Sequence, residues 1–313
     1  MRRLLIALSG VALSLPAAQL SAQEFSARAA DIRLGGRLHA QYSASSVGEA
    51  ENDFFFRRVR LIADINVTDF FSARVQPDFA GGKAALQDAY VRFNVSDGFR
   101  VSMGQFKRAF DLFELSSSTD LSLIERDGRV EGVSSCTGVG GACSYSRLTE
   151  KLGFAGRDQG VKVEISGDAV SFQGTITNGT GINTSDENDA KSYSGRLSVD
   201  AGDNVVLSGQ FAVHDYLDDD DENVYAPAWA ADVEVGGWRD GLHLQAGVAS
   251  GDNWKELDAS GDAVPFMAYQ GVLSYYVPLD GPRWAGVEPL ARVSFADPNG
   301  DAADDGAVIF TPG

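Results

Sequence analysis

Hydrophobic and polar residues alternate along residues 56–67, which read FRRVRLIADINV. One set of alternate positions holds Arg57, Val59, Leu61, Ala63, Ile65 and Val67, and the other holds Phe56, Arg58, Arg60, Ile62, Asp64 and Asn66. Alternation with a period of two residues is typical of a β-strand that has one face in an apolar medium and the other in a polar one. Soluble sandwiches and membrane barrels both contain such strands, so this segment leaves both folds open.

The same alternation recurs along the chain and predicts a long series of strands. They cover residues 31–43, 54–67, 70–79, 84–95, 98–107, 158–166, 169–178, 191–201, 203–214, 224–236, 238–250, 265–277 and 284–296, and a further strand begins near residue 306. Short turns such as NVTDFF and NVSDGF take turns with long loops such as SASSVGEAEN and HDYLDDDDENVY. This alternation of loop lengths is typical of up-and-down barrels of outer membranes, whereas Greek-key sandwiches have no reason to show it.

The two faces of the predicted strands also favour a barrel. The first strand carries Leu34 and Leu38 on one face and Arg33 and Arg37 on the other. A membrane barrel turns its apolar face to lipid and its polar face to a water-filled interior, with aromatic residues at both interfaces. Aromatic residues that lie near predicted strand ends are Phe54, Phe55, Phe70, Phe71, Trp238, Tyr275, Tyr276 and Trp284.

Residues 1–22 have the three parts of a secretory signal peptide. The basic start Met1-Arg2-Arg3 precedes the apolar run LLIALSGVALSL and the small-residue segment PAAQLSA. We expect cleavage near Ala22, which leaves residues 23–313 as the mature chain. The apolar run is shorter than the roughly 20 residues of a membrane-spanning helix, and no later run is long enough. The exported protein is therefore either soluble or a β-barrel in an outer membrane.

We predict an all-β fold, a transmembrane antiparallel up-and-down β-barrel. The last predicted strand begins in DDGAVIFTPG, where the sequence ends after thirteen full strands. Because bacterial barrels have an even number of strands, we expect the C-terminal strands to be missing from this chain. The net charge of −18 argues against nucleic acid as a partner, and an anionic ligand would require a local basic patch.

The two cysteines, Cys136 and Cys143, lie in the segment SSCTGVGGACSYS. In an exported protein two neighbouring cysteines favour a disulfide. A metal site is the alternative, but no histidine lies nearby and two thiolates do not complete a tetrahedral zinc site. We therefore predict a disulfide, with no metal ion and no cofactor.

Five segments resemble, in their order and spacing, the phosphate-selective porins O and P. FRRVRL, QPDFA, LQDAYV, GQFKRAF and SSSTDLSLIER follow one another between residues 56 and 126, and the resemblance is strongest over residues 31–130. It implies an outer-membrane porin of sixteen strands that forms a homotrimer. It also implies that the third long loop, here residues 108–150, folds inward and narrows the pore. Candidates for that constriction are Lys107, Arg108, Glu125, Arg126 and Arg129.

Arginines accumulate on the inward face of the first five predicted strands. The candidate pore-lining residues are Arg33, Arg37, Arg58, Arg60, Arg74, Arg92 and Arg100, and they are opposed by Asp31, Asp64, Asp78 and Asp88. Guanidinium groups stay charged and bind phosphate or carboxylate with two hydrogen bonds, so they could attract anions into a channel. The same residues could instead brace the wall through ion pairs. The alternation places Arg57 on the opposite face, where we expect it to reach toward the membrane interface.

The predicted function is passive diffusion of small solutes across the outer membrane, with a preference for anions, phosphate or polyphosphate among them. Expected partners are small anionic solutes, outer-membrane lipid and lipopolysaccharide. The alternative is a structural or adhesive barrel with a plugged lumen. Enzymatic activity is not predicted, because His39, His214 and His243 are the only histidines and none lies in a G-x-S-x-G or H-E-x-x-H motif.

Overall fold

A computed structural model describes residues 31–44, 52–118, 121–123, 125–126, 144–186, 188–218 and 222–313. The predicted signal peptide, residues 1–22, lies outside the described residues. Arg129 and the predicted disulfide between Cys136 and Cys143 also lie outside them.

In the described part of the chain, fourteen antiparallel strands form one sheet, and their order in the sheet follows their order in the chain. They are β1 (Asp31–Ala44), β2 (Asn52–Asn66), β3 (Phe71–Asp78), β4 (Ala85–Ser96), β5 (Phe99–Lys107), β6 (Arg157–Ser166), β7 (Val170–Thr177), β8 (Ser192–Asp200), β9 (Val205–Leu217), β10 (Asn223–Gly237), β11 (Asp240–Leu257), β12 (Ala263–Tyr275), β15 (Leu290–Asp297) and β16 (Ala307–Pro312). A separate two-stranded ribbon pairs β13 (Val277–Pro278) with β14 (Gly286–Val287). The prediction of an all-β, up-and-down antiparallel fold is confirmed.

Two strands have an end that lies more than three residues from its predicted position. β11 continues to Leu257, beyond the predicted end at residue 250, and its last residue pairs with Ala263 of β12. The prediction ended earlier because the charged residues Lys255 and Glu256 do not follow the apolar alternation. β15 begins at Leu290, since the first residues of the predicted strand 284–296 contribute to the β13–β14 ribbon. In both places the strand pairing depends on the neighbouring strand rather than on the alternation of side chains.

One face of the sheet is an apolar band open to the surroundings. On β1, the side chains of Leu34 and Leu38 are 71% and 70% exposed. The band continues around the sheet through the exposed residues Leu61, Met103, Val161, Ile176, Leu197, Phe211, Trp229, Leu273 and Val293. An exposed apolar band of this extent is typical of a lipid-facing surface.

A β-bulge between β1 and β2 alters the faces within the segment FRRVRL. His39 pairs with Arg58 and the next residue, Ala40, pairs with Phe56, so Arg57 is the extra residue. A bulge changes the alternation of side chains on either side of it. Phe56 is therefore exposed on the apolar face, while Arg57 and Arg58 both contact the carboxylate of Glu125. The expectation that Arg57 faces lipid is wrong for this reason.

The described parts of the third long loop, which connects β5 to β6, lie against the opposite face of the sheet. It contains two short helices, α1 (Leu112–Leu115) and α2 (Tyr145–Lys151). Elsewhere in the chain, a 3-10 turn at Ala80–Gly82 follows β3. Within the described ranges, no helix is long and apolar enough to cross a bilayer. Aromatic and leucine side chains of the loop form one buried cluster, whose members are Phe110, Phe113, Tyr145, Leu148, Leu152 and Phe154.

This loop cluster packs on small residues of the second half of the sheet. The small wall residues in the cluster are Ala212 on β9, Ala226, Ala228 and Ala230 on β10, Ala249 on β11, Ala268 on β12 and Ala296 on β15, and Phe266 and Val272 on β12 also belong to it. Alanine side chains leave room for the loop to approach the wall closely, and the buried aromatic area stabilises the contact. The loop therefore covers the alanine wall, and strands β1–β6 keep a separate polar face.

The apolar band provides a test of the membrane orientation. Leu38→Arg places a charge on the exposed face in the middle of β1, and we expect it to cost about 2–4 kcal/mol of unfolding free energy. Ile32→Arg, near the end of the same strand, should cost only about 0–1 kcal/mol. Urea unfolding in lipid vesicles measures both. Equal costs at the two positions would contradict the assignment of this face to lipid.

Candidate functional site: a basic cavity beside the third loop

A cavity of about 550 Å³ lies between the polar face of β1–β7 and the third loop. Its charged lining consists of seven basic and three acidic side chains, an excess of four positive charges. The basic residues are Arg33, Arg37, Arg60, Arg74, Lys107, Arg157 and Lys162, and the acidic residues are Asp64, Asp88 and Glu164. The loop contributes Leu115, Ser117 and Ser118 to the opposite side.

Most arginines of this wall form ion pairs with carboxylates on neighbouring strands. Arg74 Nε donates to Asp64 at 2.6 Å, and Arg60 Nε donates to Asp78 at 2.6 Å. Arg157 Nε donates to Asp88 at 2.7 Å. Because charged hydrogen bonds with this geometry hold both side chains, these arginines brace neighbouring strands as well as line the cavity.

The seven candidate pore-lining arginines divide into two groups. Arg33, Arg37, Arg60 and Arg74 line the cavity, whereas Arg58, Arg92 and Arg100 do not. Among the described residues, ion pairs join Arg33 to Asp31, Arg58 to Glu125, Arg60 to Asp78, Arg74 to Asp64 and Arg92 to Glu164. The Arg33 pair is exposed and contributes little to stability, while the Arg58 pair is buried.

Sequence reasoning missed two basic residues of the cavity, Arg157 and Lys162 on β6. The sequence does indicate that Lys162 faces inward, because Lys162 and Glu164 occupy alternate positions of the predicted strand 158–166. Arg157 lies just before that predicted strand, and the predicted pore-lining arginines all belong to the first five strands. Lys162 Nζ lies 4.9 Å from the centroid of the Phe106 ring.

The constriction candidates near α1 occupy different surroundings. Lys107 Nζ donates to the carbonyl oxygens of Glu114 and Ser116, so it binds the C-terminal end of α1 while lining the cavity. Arg126 donates to the Glu114 carboxylate at 3.0 Å. Arg108 is buried and donates to the carbonyl oxygen of Gly153. It is therefore absent from the cavity lining.

Glu125 is the constriction candidate with the largest number of wall contacts. Its carboxylate accepts hydrogen bonds from Gln41 on β1 and from Arg57 and Arg58 on β2. The Glu125 side chain is only 3% exposed. A buried carboxylate requires such compensation, because an isolated buried charge is strongly destabilising.

Asp111 fixes the start of the third loop. Its carboxylate accepts hydrogen bonds from the backbone N–H groups of Phe113 and Glu114, which begin α1, and from the Thr149 hydroxyl of α2. Its own N–H donates to Gln210 on β9. Burial, followed by the negative charge of Glu114, raises the pKa of Asp111 from its ordinary value of 3.8 to about 7.

A serine, a histidine and an aspartate also meet at the end of β8 and β9. The Ser192 hydroxyl donates to Asp215 and lies 3.2 Å from His214 Nδ1. In a hydrolase triad the carboxylate orients the histidine, but here it binds the serine directly and Arg108 lies beside the same nitrogen at 3.4 Å. The arrangement is a hydrogen-bonded wall contact and does not activate the serine.

The sequence profile described as phosphate-selective porin O and P matches residues 32–231, which is more than half of the chain. The chain belongs to this family. It is thus a porin of the outer membrane, and the family and fold favour a channel over an enzyme. No curated protein matches the sequence significantly.

Solved porin structures share the fold of this porin. The Salmonella typhi OmpF complex with daunomycin has a TM-score of 0.53 and 13% identity, over 86% of this chain and 79% of that one. An anion-selective porin from Comamonas acidovorans has a TM-score of 0.54 and 11% identity, over 86% of this chain and 79% of that one. At these identities the likeness concerns the fold alone.

The raised pKa of Asp111 predicts a pH-dependent stability. Between its ordinary value of 3.8 and the folded value of about 7, the folded porin holds more protons than the unfolded chain, so the unfolding free energy falls as the pH rises through this interval. Asp111→Asn keeps a side-chain oxygen to cap α1 but has no proton to lose. We expect a smaller fall in the urea midpoint between pH 4 and pH 8 than in the unchanged porin. Parallel falls in the two proteins would show that another group titrates.

Proposed function

We propose that the porin passes small solutes by diffusion with a preference for anions, phosphate among them. The observation that carries this proposal is the excess of four positive charges in the lining of the 550 Å³ cavity. Two carboxylates outside the lining, Asp31 and Asp78, pair with Arg33 and Arg60. Even when both are included, an excess of two positive charges remains.

The basic excess opposes the charge of the whole chain. The net charge is −18, and the long loops are rich in acidic residues, so overall charge alone would favour cations. In a narrow channel with low-dielectric walls, however, ions respond most strongly to the charges nearest to them. The cavity lining should therefore dominate selectivity over the distant loops.

Two lysines line the cavity without forming an ion pair in the part of the chain that the structure describes. Among the described residues, neither Lys107 nor Lys162 forms an ion pair: Lys107 donates to backbone carbonyls and Lys162 lies over the Phe106 ring. Arginines that brace the wall share their charge with a carboxylate. These lysines are for this reason the better candidates for residues that attract permeating anions.

Lys162→Glu tests this role directly. The substitution reverses a charge in the cavity, and we expect the reversal potential in a potassium chloride gradient to shift toward cations. The shift should decrease at high salt, because the screening length falls to about 3 Å at 1 M. Lys191→Glu is the matched control, since Lys191 pairs with Asp186 in a long loop and is absent from the cavity lining.

An equal shift in both variants would contradict the proposal that the cavity sets selectivity. Absence of any conductance in the unchanged porin would favour the structural or adhesive barrel instead.

The proposal extends to export and assembly. The mature chain begins near Gln23 after removal of residues 1–22, and three copies assemble in the outer membrane in contact with lipid and lipopolysaccharide. Support comes from the signal-peptide pattern, the family and the exposed apolar band of the sheet.

We expect mass spectrometry of the exported protein to give an N-terminus near Gln23, and membrane fractionation to recover it with the outer membrane. Crosslinking in intact membranes should give a trimer. A soluble periplasmic monomer would contradict the proposed export and assembly.

A further inference from the structure

Glu125 is held from the first two strands of the sheet through its side chain. Arg58 donates to both carboxylate oxygens, at 3.2 and 2.8 Å. Arg57 Nε donates to Oε1 at 2.9 Å, and Gln41 Nε2 donates to the same oxygen at 3.2 Å. The bulge at Arg57 makes this possible, because it lets two consecutive arginines reach one carboxylate.

The backbone of the same residue is held from the other end of the sheet. On β15, the Nη1 group of Arg292 donates hydrogen bonds to the carbonyl oxygens of Glu125 and Arg126, at 2.7 and 3.1 Å. Its Nη2 donates to the Thr311 hydroxyl on β16 at 2.9 Å. Within the described residues no ladder joins β1 to β16, so these contacts link the two ends of the sheet through the loop.

Arg126 connects the Glu125 contacts to the part of the loop that lines the cavity. Its guanidinium donates to the Glu114 carboxylate at 3.0 Å and to the Ser116 carbonyl at 3.0 Å. The next residues, Ser117 and Ser118, line the 550 Å³ cavity. The contacts of Glu125 and Arg126 thus connect both ends of the sheet to the loop segment that lines the cavity.

A second cavity, of about 360 Å³, borders the hydrogen bonds around Glu125. It shares Arg60 and Arg157 with the first cavity. Five basic and four acidic side chains line it, and they are Arg57, Arg58, Arg60, Arg126, Arg157, Asp78, Glu114, Glu125 and Glu150. The two cavities therefore meet at Arg60 and Arg157, and the loop segment at Glu125 and Arg126 lines the second cavity beside them.

We propose that Glu125 and Arg292 are positioning residues that set the width of the passage between the two cavities, and thereby both the size limit and the charge discrimination of the channel. The inference rests on the proposed channel function, but it does not depend on which ions are preferred. Neither residue needs to touch the solute. Together they hold the loop segment at a fixed distance from the wall.

Glu125→Gln and Arg292→Met separate position from charge, because they change the lumen charge in opposite directions. If the residues position the loop, both variants should raise the single-channel conductance, admit larger polyethylene glycols and bring the reversal potential closer to zero. If they act only through charge, Glu125→Gln should become more anion-selective and Arg292→Met less so, with an unchanged polymer limit. The second outcome would overturn the proposal.

Two further variants serve as controls. Arg292→Lys keeps the charge but has a single donor group, so the positioning role predicts a partial rise in the polymer limit, whereas a charge role predicts none. Asp64→Asn removes a carboxylate that pairs with Arg74 within the wall, and it should change selectivity without changing the polymer limit. If Arg292→Met fails to fold, Glu125→Gln and Arg292→Lys still decide the matter by their polymer limits.

Measurements on the unchanged porin distinguish the proposed anion preference from the proposed positioning role. Its reversal potential tests anion preference by itself, while the polymer limits of the variants test the positioning role. A cation-selective porin whose polymer limit rises in Glu125→Gln would refute anion preference and support the inference. An anion-selective porin with the same limit in all variants would do the opposite.

Discussion

The contact between the third loop and the alanine wall is the interaction on which the rest of the site depends. Phe110, Tyr145 and Phe154 pack where most of the buried wall residues of β9–β12 and β15 are alanines. Bulkier side chains there would prevent the loop from lying close to the sheet, since buried interiors are closely packed. Because the loop occupies that half, the open cavity lies beside the other half, which carries the arginines and lysines.

Charges near the loop are arranged so that few are buried alone. Arg196 and Asp232 form a buried pair with two hydrogen bonds, and Arg58 and Glu125 form another. Such pairs add little net stability compared with apolar packing, but the loss of one partner leaves a buried charge. The sequence left two roles of the wall arginines as alternatives, and the structure combines them. These arginines brace neighbouring strands and also contribute positive electrostatic potential to the cavity.

The lysines differ from the arginines in this respect. Lys162 has an aromatic neighbour and Lys107 has backbone carbonyls, so their charges are compensated by weaker partners than a carboxylate. Local field in a channel depends on the difference between positive and negative side chains rather than on the number of arginines. A basic cavity within an acidic protein follows from this local balance.

The amino-acid pattern was sufficient to predict the strands and most of their faces, because alternation of side chains is a local property of extended backbone. It also identified Arg33, Arg37, Arg60 and Arg74 as residues of the polar face, which line the cavity. The tertiary structure decided where the alternation breaks. The bulge at Arg57 depends on how β1 pairs with β2, and one extra residue exchanges the faces of Phe56 and Arg57.

The tertiary structure alone also decided which charges meet. Arg58 and Glu125 are 67 residues apart, and Arg292 reaches the Glu125 carbonyl across 167 residues. Contacts of this kind depend on the path of the loop and on the size of the residues beneath it, and neither follows from periodicity. Hydrophobic periodicity specifies which face a residue occupies, but the partner it finds there depends on packing between segments that are distant in the chain.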